Sequence, residues 1–351
     1  MKTSRRHFLH TSLAGTASLA AMPTARAKQQ PPNFLFILTD DQRHSALGCA
    51  GNPLISTPAL DSLAAQGAHF KNAFVTTSIC SPSRACCLTG RYGSANGVVT
   101  FGNPKLNPNE TTFAHVLKQA GYKTGMVGKW HLGNTPQECG FDYAAYFKSN
   151  GSYYNRKINE HGEQKTAEGY IEEYNTKMST RFLRESKQAG QPFALFHCTQ
   201  IPHMNHAFEW VAKEETKKQY PINKMPLPKT WQDDLAGKPP YLKTGRNRQQ
   251  ALKYGYDKAH NIRAHFRDYY AAITEMDATL GTLLKKLDDL GMWDNTYIIF
   301  MGDNGWFMGE HGFTSKVLPY EESIRVPMIL AGPGIQHQTD HHLVLNADLA
   351  P

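Results

Sequence analysis

Residues Asn33–Gln42 read NFLFILTDDQ. The run Phe34 to Leu38 is apolar without interruption, the pattern of a strand buried on both faces of a sheet. Four more short apolar runs, less regular than this one, read the same way: Lys123 to Val127, Phe193 to His197, Tyr297 to Met301 and Pro327 to Leu330. All five are expected to be parallel strands. Between them lie helical patterns, one over Thr112 to Gln119 and a long one over His265 to Leu290. In the long one Ile273, Asp277, Leu280, Leu284 and Leu287 fall at helical spacing, with Asp277 expected at the edge of the apolar stripe. This alternation predicts an α/β fold with a mostly parallel central sheet and helices on both faces.

In open α/β sheets, sites form beyond the carboxyl ends of the strands. Leu38 is followed by Thr39-Asp40-Asp41, and Val127 by Gly128-Lys129-Trp130-His131. His197 leads to Thr199-Gln200-Ile201-Pro202-His203, and Met301 to Gly302-Asp303-Asn304-Gly305. A single Asp-Asp after a strand reads equally well as a turn or helix cap. Four polar clusters after four strands point to one crevice.

Asp40, Asp41, Asp303 and Asn304 offer hard oxygen ligands. Brought together they repel unless a cation sits among them, and oxygen ligation suits Ca²⁺ or Mg²⁺. Lys129, His131, His203 and, further on, His311 and Lys316 supply positive or titratable groups. A hard cation ringed by Lys and His suits a tetrahedral oxyanion such as phosphate or sulfate.

The remaining segment is Cys80-Ser81-Pro82-Ser83-Arg84-Ala85-Cys86-Cys87-Leu88-Thr89-Gly90-Arg91. Ser81 fits an N-cap and Pro82 the first helical position, which puts Cys80 at a helix N-terminus. Such a position favours an anion and lowers a thiol pKa. On the residues alone, Cys80 also reads as a buried structural thiol.

This segment resembles the signature of the type I, formylglycine-dependent sulfatases, C-x-P-S-R-x-x-x-L-T-G-R, in the alkaline phosphatase-like superfamily. The resemblance continues in family order through NFLFILTDDQ, GMVGKWHLG (Gly125 to Gly133), Pro202-His203 and GDNGWFMGEHGFTSK (Gly302 to Lys316). It implies oxidation of Cys80 to formylglycine by a maturation enzyme, and a hydrated aldehyde as nucleophile. It implies Ca²⁺, in preference to Mg²⁺, on Asp40, Asp41, Asp303 and Asn304, with the modified Cys80 as a further ligand. Arg84 would hold the diol and His131 would orient or deprotonate it. Lys129 and Lys316 would bind sulfate oxygens, His203 would protonate the leaving oxygen, and His311 would contact substrate. The implied activity is hydrolysis of a sulfate monoester on a carbohydrate or aryl group. Cys86 and Cys87 fall where the signature is free and read as packing residues.

Composition sets the outer bounds. The chain has 351 residues, 40% hydrophobic and 19% charged, so it can bury a core. No run reaches the ~20 apolar residues of a membrane span, which argues against an integral membrane protein. The net charge is +8, but Lys2, Arg5, Arg6 and Arg26 lie in residues 1–27, which contain no acid, leaving 8 − 4 = +4. That residue of charge, with no long basic block, argues against a nucleic-acid partner. Residues 1–27 (MKTSRRHFLHTSLAGTASLAAMPTARA) have a basic start, an apolar stretch and Ala25-Arg26-Ala27 as a cleavage site. Ser4-Arg5-Arg6-His7-Phe8-Leu9 resembles a twin-arginine export signal, with an ordinary secretory signal as the rival. The expectation is export to the periplasm or the exterior. Cys49, Cys80, Cys86, Cys87, Cys139 and Cys198 are too few for a disulfide scaffold and lack zinc spacing.

Residues 28–351 read as the N-terminal catalytic domain, with the family's smaller C-terminal antiparallel subdomain expected to be missing after Asn346-Ala347-Asp348-Leu349-Ala350-Pro351. Gly140 to Asn261 carries the least family pattern. Its aromatic start (Phe141, Tyr143, Tyr146, Phe147, Tyr153, Tyr154) reads mainly as packing, its proline-broken second half as loops that set substrate choice. The competing readings are a phosphate or phosphonate ester hydrolase of the same superfamily and an inactive truncated relative.

Overall fold

The computed structural model describes residues 30–102 and 104–350. The export signal read in residues 1–27 lies outside the described residues. In chain order the strands are β1 (Asn33–Thr39), β2 (Ala68–Phe74), β3 (Lys123–Lys129), β4 (Tyr143–Phe147), β5 (Tyr154–Glu160), β6 (Glu163–Tyr170), β7 (Phe193–Cys198), β8 (Thr296–Gly302), β9 (Phe307–Met308), β10 (Thr314–Ser315), β11 (Arg325–Ala331) and β12 (Gln338–Leu345). Ten form one sheet in the order β12-β2-β11-β8-β1-β7-β3-β4-β5-β6, and β9 and β10 pair separately.

The centre, β8-β1-β7-β3-β4, is parallel. Successive side chains of a strand point to opposite faces, so β1 feeds two cores. Leu35 and Ile37 join a cluster with Leu60, Phe182 and Leu280. Phe36 and Leu38 join another with Ala85, Leu88 and Phe113. The helices Pro58–Ala65, Ile171–Ala189 and Ala259–Asp289 thus cover one face, and Cys80–Thr89 and Phe113–Gln119 the other. Each such side chain moved fully out of water contributes roughly 1.5–3 kcal/mol.

Two readings of the sequence are corrected here. Pro327 to Leu330 lies in a strand, but β11 runs antiparallel to both β2 and β8. A parallel neighbour needs a crossover to the far end of the sheet. Residues 303–324 stay at the carboxyl end, where they carry site residues, so the chain re-enters reversed. Asp277 is fully buried rather than at a stripe edge. Its carboxylate accepts the amides of Ala59 (3.0 Å) and Leu60 (2.9 Å). It therefore caps the helix Pro58–Ala65, whose own N-cap residue Thr57 makes no side-chain cap.

Register explains the convergence. Leu38 pairs with Cys198 on one side and Met301 on the other, Thr39 pairs with Gly302, and Gly128 pairs with Cys198. Four strands end level. Gly128 has φ +99°, and a Cβ there would lie 1.8 Å from the Cys198 carbonyl oxygen, so only glycine lets the chain turn toward Lys129.

Among the described residues no helix is long and apolar enough to cross a membrane. The six cysteines are free, and Cys87 and Cys198 belong to the second core cluster.

Candidate active site

Because Thr39 and Gly302 are paired, Asp40-Asp41 and Asp303-Asn304 leave the sheet side by side. Asp303 donates its amide to the Thr39 carbonyl at 2.8 Å, and its Oδ1 accepts the Asp41 amide at 3.1 Å. Asp41 adopts φ 63°, a left-handed conformation that turns its carboxylate back into the crevice. Asn304 Nδ2 donates to Asp41 Oδ1 at 2.6 Å. Asp40, Asp41, Asp303 and Cys80 each present a ligand atom within 4.8 Å of the others.

These carboxylates are buried and would repel one another without countercharge. Lys129 pairs with Asp40, Lys316 with Asp41, and Arg84 with Asp303. Burial opposes ionisation of Asp40, yet Lys129, then His203, Lys316 and Arg84, hold it well below the usual carboxylate range. Asp303 is pushed upward by burial and by Asp40, against Arg84. A divalent cation would relieve that repulsion. The donor set, three carboxylates and an amide, fits a hard cation. Asp41 Oδ2 is buried without a hydrogen-bond partner, an acceptor still to be satisfied.

Cys80 opens the helix Cys80–Thr89, but the cap differs from the sequence reading. Ile79 is the N-cap, and its carbonyl takes the first helical bond from Ser83. Ser81 is inside the helix and donates its hydroxyl to the His131 carbonyl at 2.8 Å. Pro82 sits in the first turn, where its missing N–H would be unpaired anyway. The thiol is not acidified as a helix N-terminus would suggest. Burial and the neighbouring Asp40 carboxylate push it up to about 12, outweighing Lys129 and Lys316. Its Sγ lies 3.2 Å from Asp40 Oδ1, 2.7 Å from Lys316 Nζ and 3.8 Å from Lys129 Nζ.

Arg84 is almost wholly buried. Nε donates to Asp303 Oδ2 at 3.0 Å and Nη1 to the Lys129 carbonyl at 2.7 Å. Nη2 lies 2.9 Å from the same carboxylate oxygen but is not aligned for a hydrogen bond, so a donor remains unspent. His131 has φ 61° and a buried Nδ1 without a partner. Burial and Lys129 lower its pKa to about 2, so the ring is neutral.

His203 Nδ1 contacts the Met204 carbonyl at 2.8 Å. A carbonyl only accepts, so Nδ1 carries the proton and Nε2 faces Asp41 Oδ2, 3.5 Å away. Burial lowers its pKa and Asp41 opposes that.

His311 is not brought to this crevice. Its Nδ1 lies 2.6 Å from Asp233 Oδ2 and 3.0 Å from Lys238 Nζ, in a separate surface cluster. His311 is not among the residues lining the cavity that opens beside Cys80, and the substrate contact read for it from the sequence stays an expectation.

The sequence reading missed several supporting groups. Glu172, fully buried on the helix Ile171–Ala189, accepts the Gln200 amide at 2.7 Å and the Ile201 amide at 3.3 Å, holding the turn that leads to His203. Burial pushes Glu172 up to about 7, against hydrogen bonds from Asn175, Gln200 and Ile201. Gln200 in turn bonds both backbone groups of Gly151, and Tyr153 donates to the His203 carbonyl at 2.7 Å. Gly151 and Tyr153 lie in the connection between β4 and β5, where no periodic pattern singles them out.

Beside the Cys80 and carboxylate cluster opens a cavity of about 250 Å³. Cys80, His131, His203 and Lys316 reach it, and Met204, Phe208, Trp306, Tyr254, Arg246 and Gln250 form its outer walls. A thiol between two lysines, with His131 and His203 lining the same open space, is an arrangement that suits displacement at a tetrahedral oxyanion ester.

A family profile described as Sulfatase matches residues 32–351. The chain is 30% identical over 396 residues to the N-acetylglucosamine-6-O-sulfatase of Bacteroides thetaiotaomicron, which covers 97% of this chain and 69% of that one. It is 32% identical over 335 residues to the ulvan-active sulfatase of Formosa agariphila, covering 90% of this chain and 59% of that one. It superposes with TM-score 0.80 and 29% identity on a structure solved in complex with its substrate D-glucosamine-2-N,6-O-disulfate, covering 92% of this chain and 76% of that chain. The chain thus spans 59% to 69% of the length of the two named relatives.

Proposed function

The chain belongs to the sulfatase family, with its α/β, alkaline phosphatase-like fold, and on that premise we propose that it hydrolyses sulfate monoesters of sulfated carbohydrates, releasing inorganic sulfate. The observation that carries the reading is the placement of Cys80 Sγ, 2.7 Å from Lys316 and 3.2 Å from Asp40, at the floor of a sugar-sized cavity. The carbohydrate class is supported by the relatives, which are named for N-acetylglucosamine 6-O-sulfate and ulvan.

In this reading Cys80 is converted to formylglycine by a maturation enzyme, residues 1–27 direct export of the folded chain, and Asp40, Asp41, Asp303 and Asn304 hold Ca²⁺. Formylglycine supplies a hydrated aldehyde as nucleophile and Ca²⁺ supplies Lewis acidity at the sulfate oxygens. Lys129 and Lys316 offset charge on those oxygens. Arg84 holds Asp303 in place, and its unspent Nη2 donor serves the nucleophile position. His131, neutral, orients or accepts a proton from the nucleophile. His203, with Nδ1 fixed by the Met204 carbonyl, presents Nε2 to the leaving oxygen.

The test is sulfate release from sulfated glucosamine and 4-nitrophenyl sulfate by protein made with a formylglycine-generating enzyme, against 4-nitrophenyl phosphate. The Cys80 peptide should be about 18 Da lighter than its thiol form, and Cys80→Ala should abolish release. Faster turnover of the phosphate ester, or full activity with an unmodified thiol, overturns the reading.

A further inference from the structure

The sulfatase reading assigns the floor of the cavity to the sulfate group and leaves the role of one outer wall open. That wall is the helix Arg246–Lys253. Arg246 and Gln250 are four residues apart, so they share a face, and both line the cavity. The adjoining face is pinned to the loop that carries Lys316. Asn247 Nδ2 donates to the carbonyls of Thr314 (2.7 Å) and Lys316 (2.9 Å), and Arg248 to that of Gly312 (3.2 Å). Ala251 is buried beneath. Arg246 is therefore carried on a rigid element tied directly to the sulfate-binding lysine.

Its charge is not spent within the protein. Arg43, Arg84, Arg91, Arg181, Arg267 and Arg325 each pair with a carboxylate; Arg246, like Arg156, Arg184, Arg248 and Arg263, has no ion pair among the described residues, but unlike those four it lines the cavity. Other walls are apolar: Met204, Phe208 and Trp306, with Phe208 more than half exposed. Apolar walls and one cationic corner complement a sugar ring, whose C–H face packs on aromatic surface while a substituent points to the guanidinium.

Resting on the sulfatase reading, we propose that Arg246 recognises a second anionic substituent, a carboxylate or a further sulfate, on the sugar whose sulfate ester is cleaved. A guanidinium binds either group through two parallel N–H donors. Arg246 is a specificity-determining residue that acts on a part of the substrate away from the reacting sulfur.

The experiment measures kcat/KM for the matured protein on two matched pairs. One is D-glucosamine 6-sulfate against D-glucosamine-2-N,6-O-disulfate, and the other a hexose 2-sulfate against the corresponding hexuronic acid 2-sulfate. The wild type should prefer the doubly anionic member of at least one pair, and which pair responds identifies sulfate or carboxylate. Arg246→Ala should shrink that preference roughly 10- to 100-fold, mainly through KM, and Arg246→Lys should restore part of it. No preference in either pair, or a preference that survives Arg246→Ala, overturns the inference. So does cleavage of 4-nitrophenyl sulfate with none of the four sugars, which leaves the sulfatase reading standing. No release from any sulfate ester overturns the sulfatase reading itself.

Discussion

The Tyr269 hydroxyl donates to the Asp41 carbonyl at 2.8 Å while accepting the amide of Arg43 at 3.0 Å. Tyr269 is fully buried on the long helix Ala259–Asp289. One side chain from a distant element thus closes the left-handed turn that aims the Asp41 carboxylate. Tyr269→Phe keeps the ring but leaves a buried N–H and C=O unpaired, at about 1–3 kcal/mol. Melting temperature should fall and Ca²⁺ titrated by calorimetry should bind several-fold more weakly. An unchanged melt together with unchanged Ca²⁺ binding would show the clamp to be idle.

Asp40→Asn and Asp303→Asn each remove a carboxylate from the ligand cluster and strand a buried cation, Lys129 or Arg84 respectively. Breaking a buried pair from one side costs about 3–5 kcal/mol. Stoichiometric Ca²⁺, measured by elemental analysis after dialysis, should be lost from both variants. Calcium retained by the double variant removes these two residues from the ligand set.

His203 and Lys316 should separate by leaving group. A sugar alcohol needs a proton as it departs and an activated aryl alcohol needs little, so His203→Ala should cost about 10²-fold more on the sugar sulfate. Lys316→Ala removes a contact that both substrates share and should weaken both alike, by about 2–4 kcal/mol. Burial lowers the pKa of His203. The proton is therefore lost at lower pH than from an ordinary imidazole, and the sugar-sulfate rate should fall as pH rises through that lowered value. Equal losses on both substrates for His203→Ala would remove it from the acid role.

Glu172 makes a pH-dependent contribution to stability. Burial raises its pKa from 4.5 to about 7. Between those values the folded carboxyl holds a proton that the unfolded chain has released, so stability falls as pH rises across the window, by about 3 kcal/mol in total. Glu172→Gln is neutral throughout. Its melting temperature relative to the wild type should therefore climb between pH 4.5 and 7. A difference that stays flat over that range would mean the carboxyl is ionised throughout.

How much was legible depended on range. The strand around Phe34–Leu38 and those around Lys123–Val127, Phe193–His197 and Tyr297–Met301 were readable because apolar runs report burial, and Asp40, Asp41, Lys129, Asp303 and Asn304 because they follow those runs directly. The direction of β11 was not, since an apolar run has no sense of polarity. Asp277 looked misplaced on its helix because its partners, the Ala59 and Leu60 amides, lie 218 and 217 residues away. Tyr269 and Arg246 gave no local sign at all, because a tyrosine or an arginine on a helix is ordinary until its surroundings are known.

By itself, then, the sequence determined which residue types are present and which follow a strand, and the motif from Cys80 to Arg91 marked the family. Tertiary structure alone decided which of those residues meet. The register that pairs Leu38 with both Cys198 and Met301 brings residues 40, 129, 203 and 303 to one level. The same packing makes the Cys80 thiol less acidic than its helix position suggests, and holds His311 with Asp233 instead of in the cavity. The reason is physical: spacing along a chain reports local conformation, whereas distance, burial and charge at a site are sums over segments that only the folded sheet brings together.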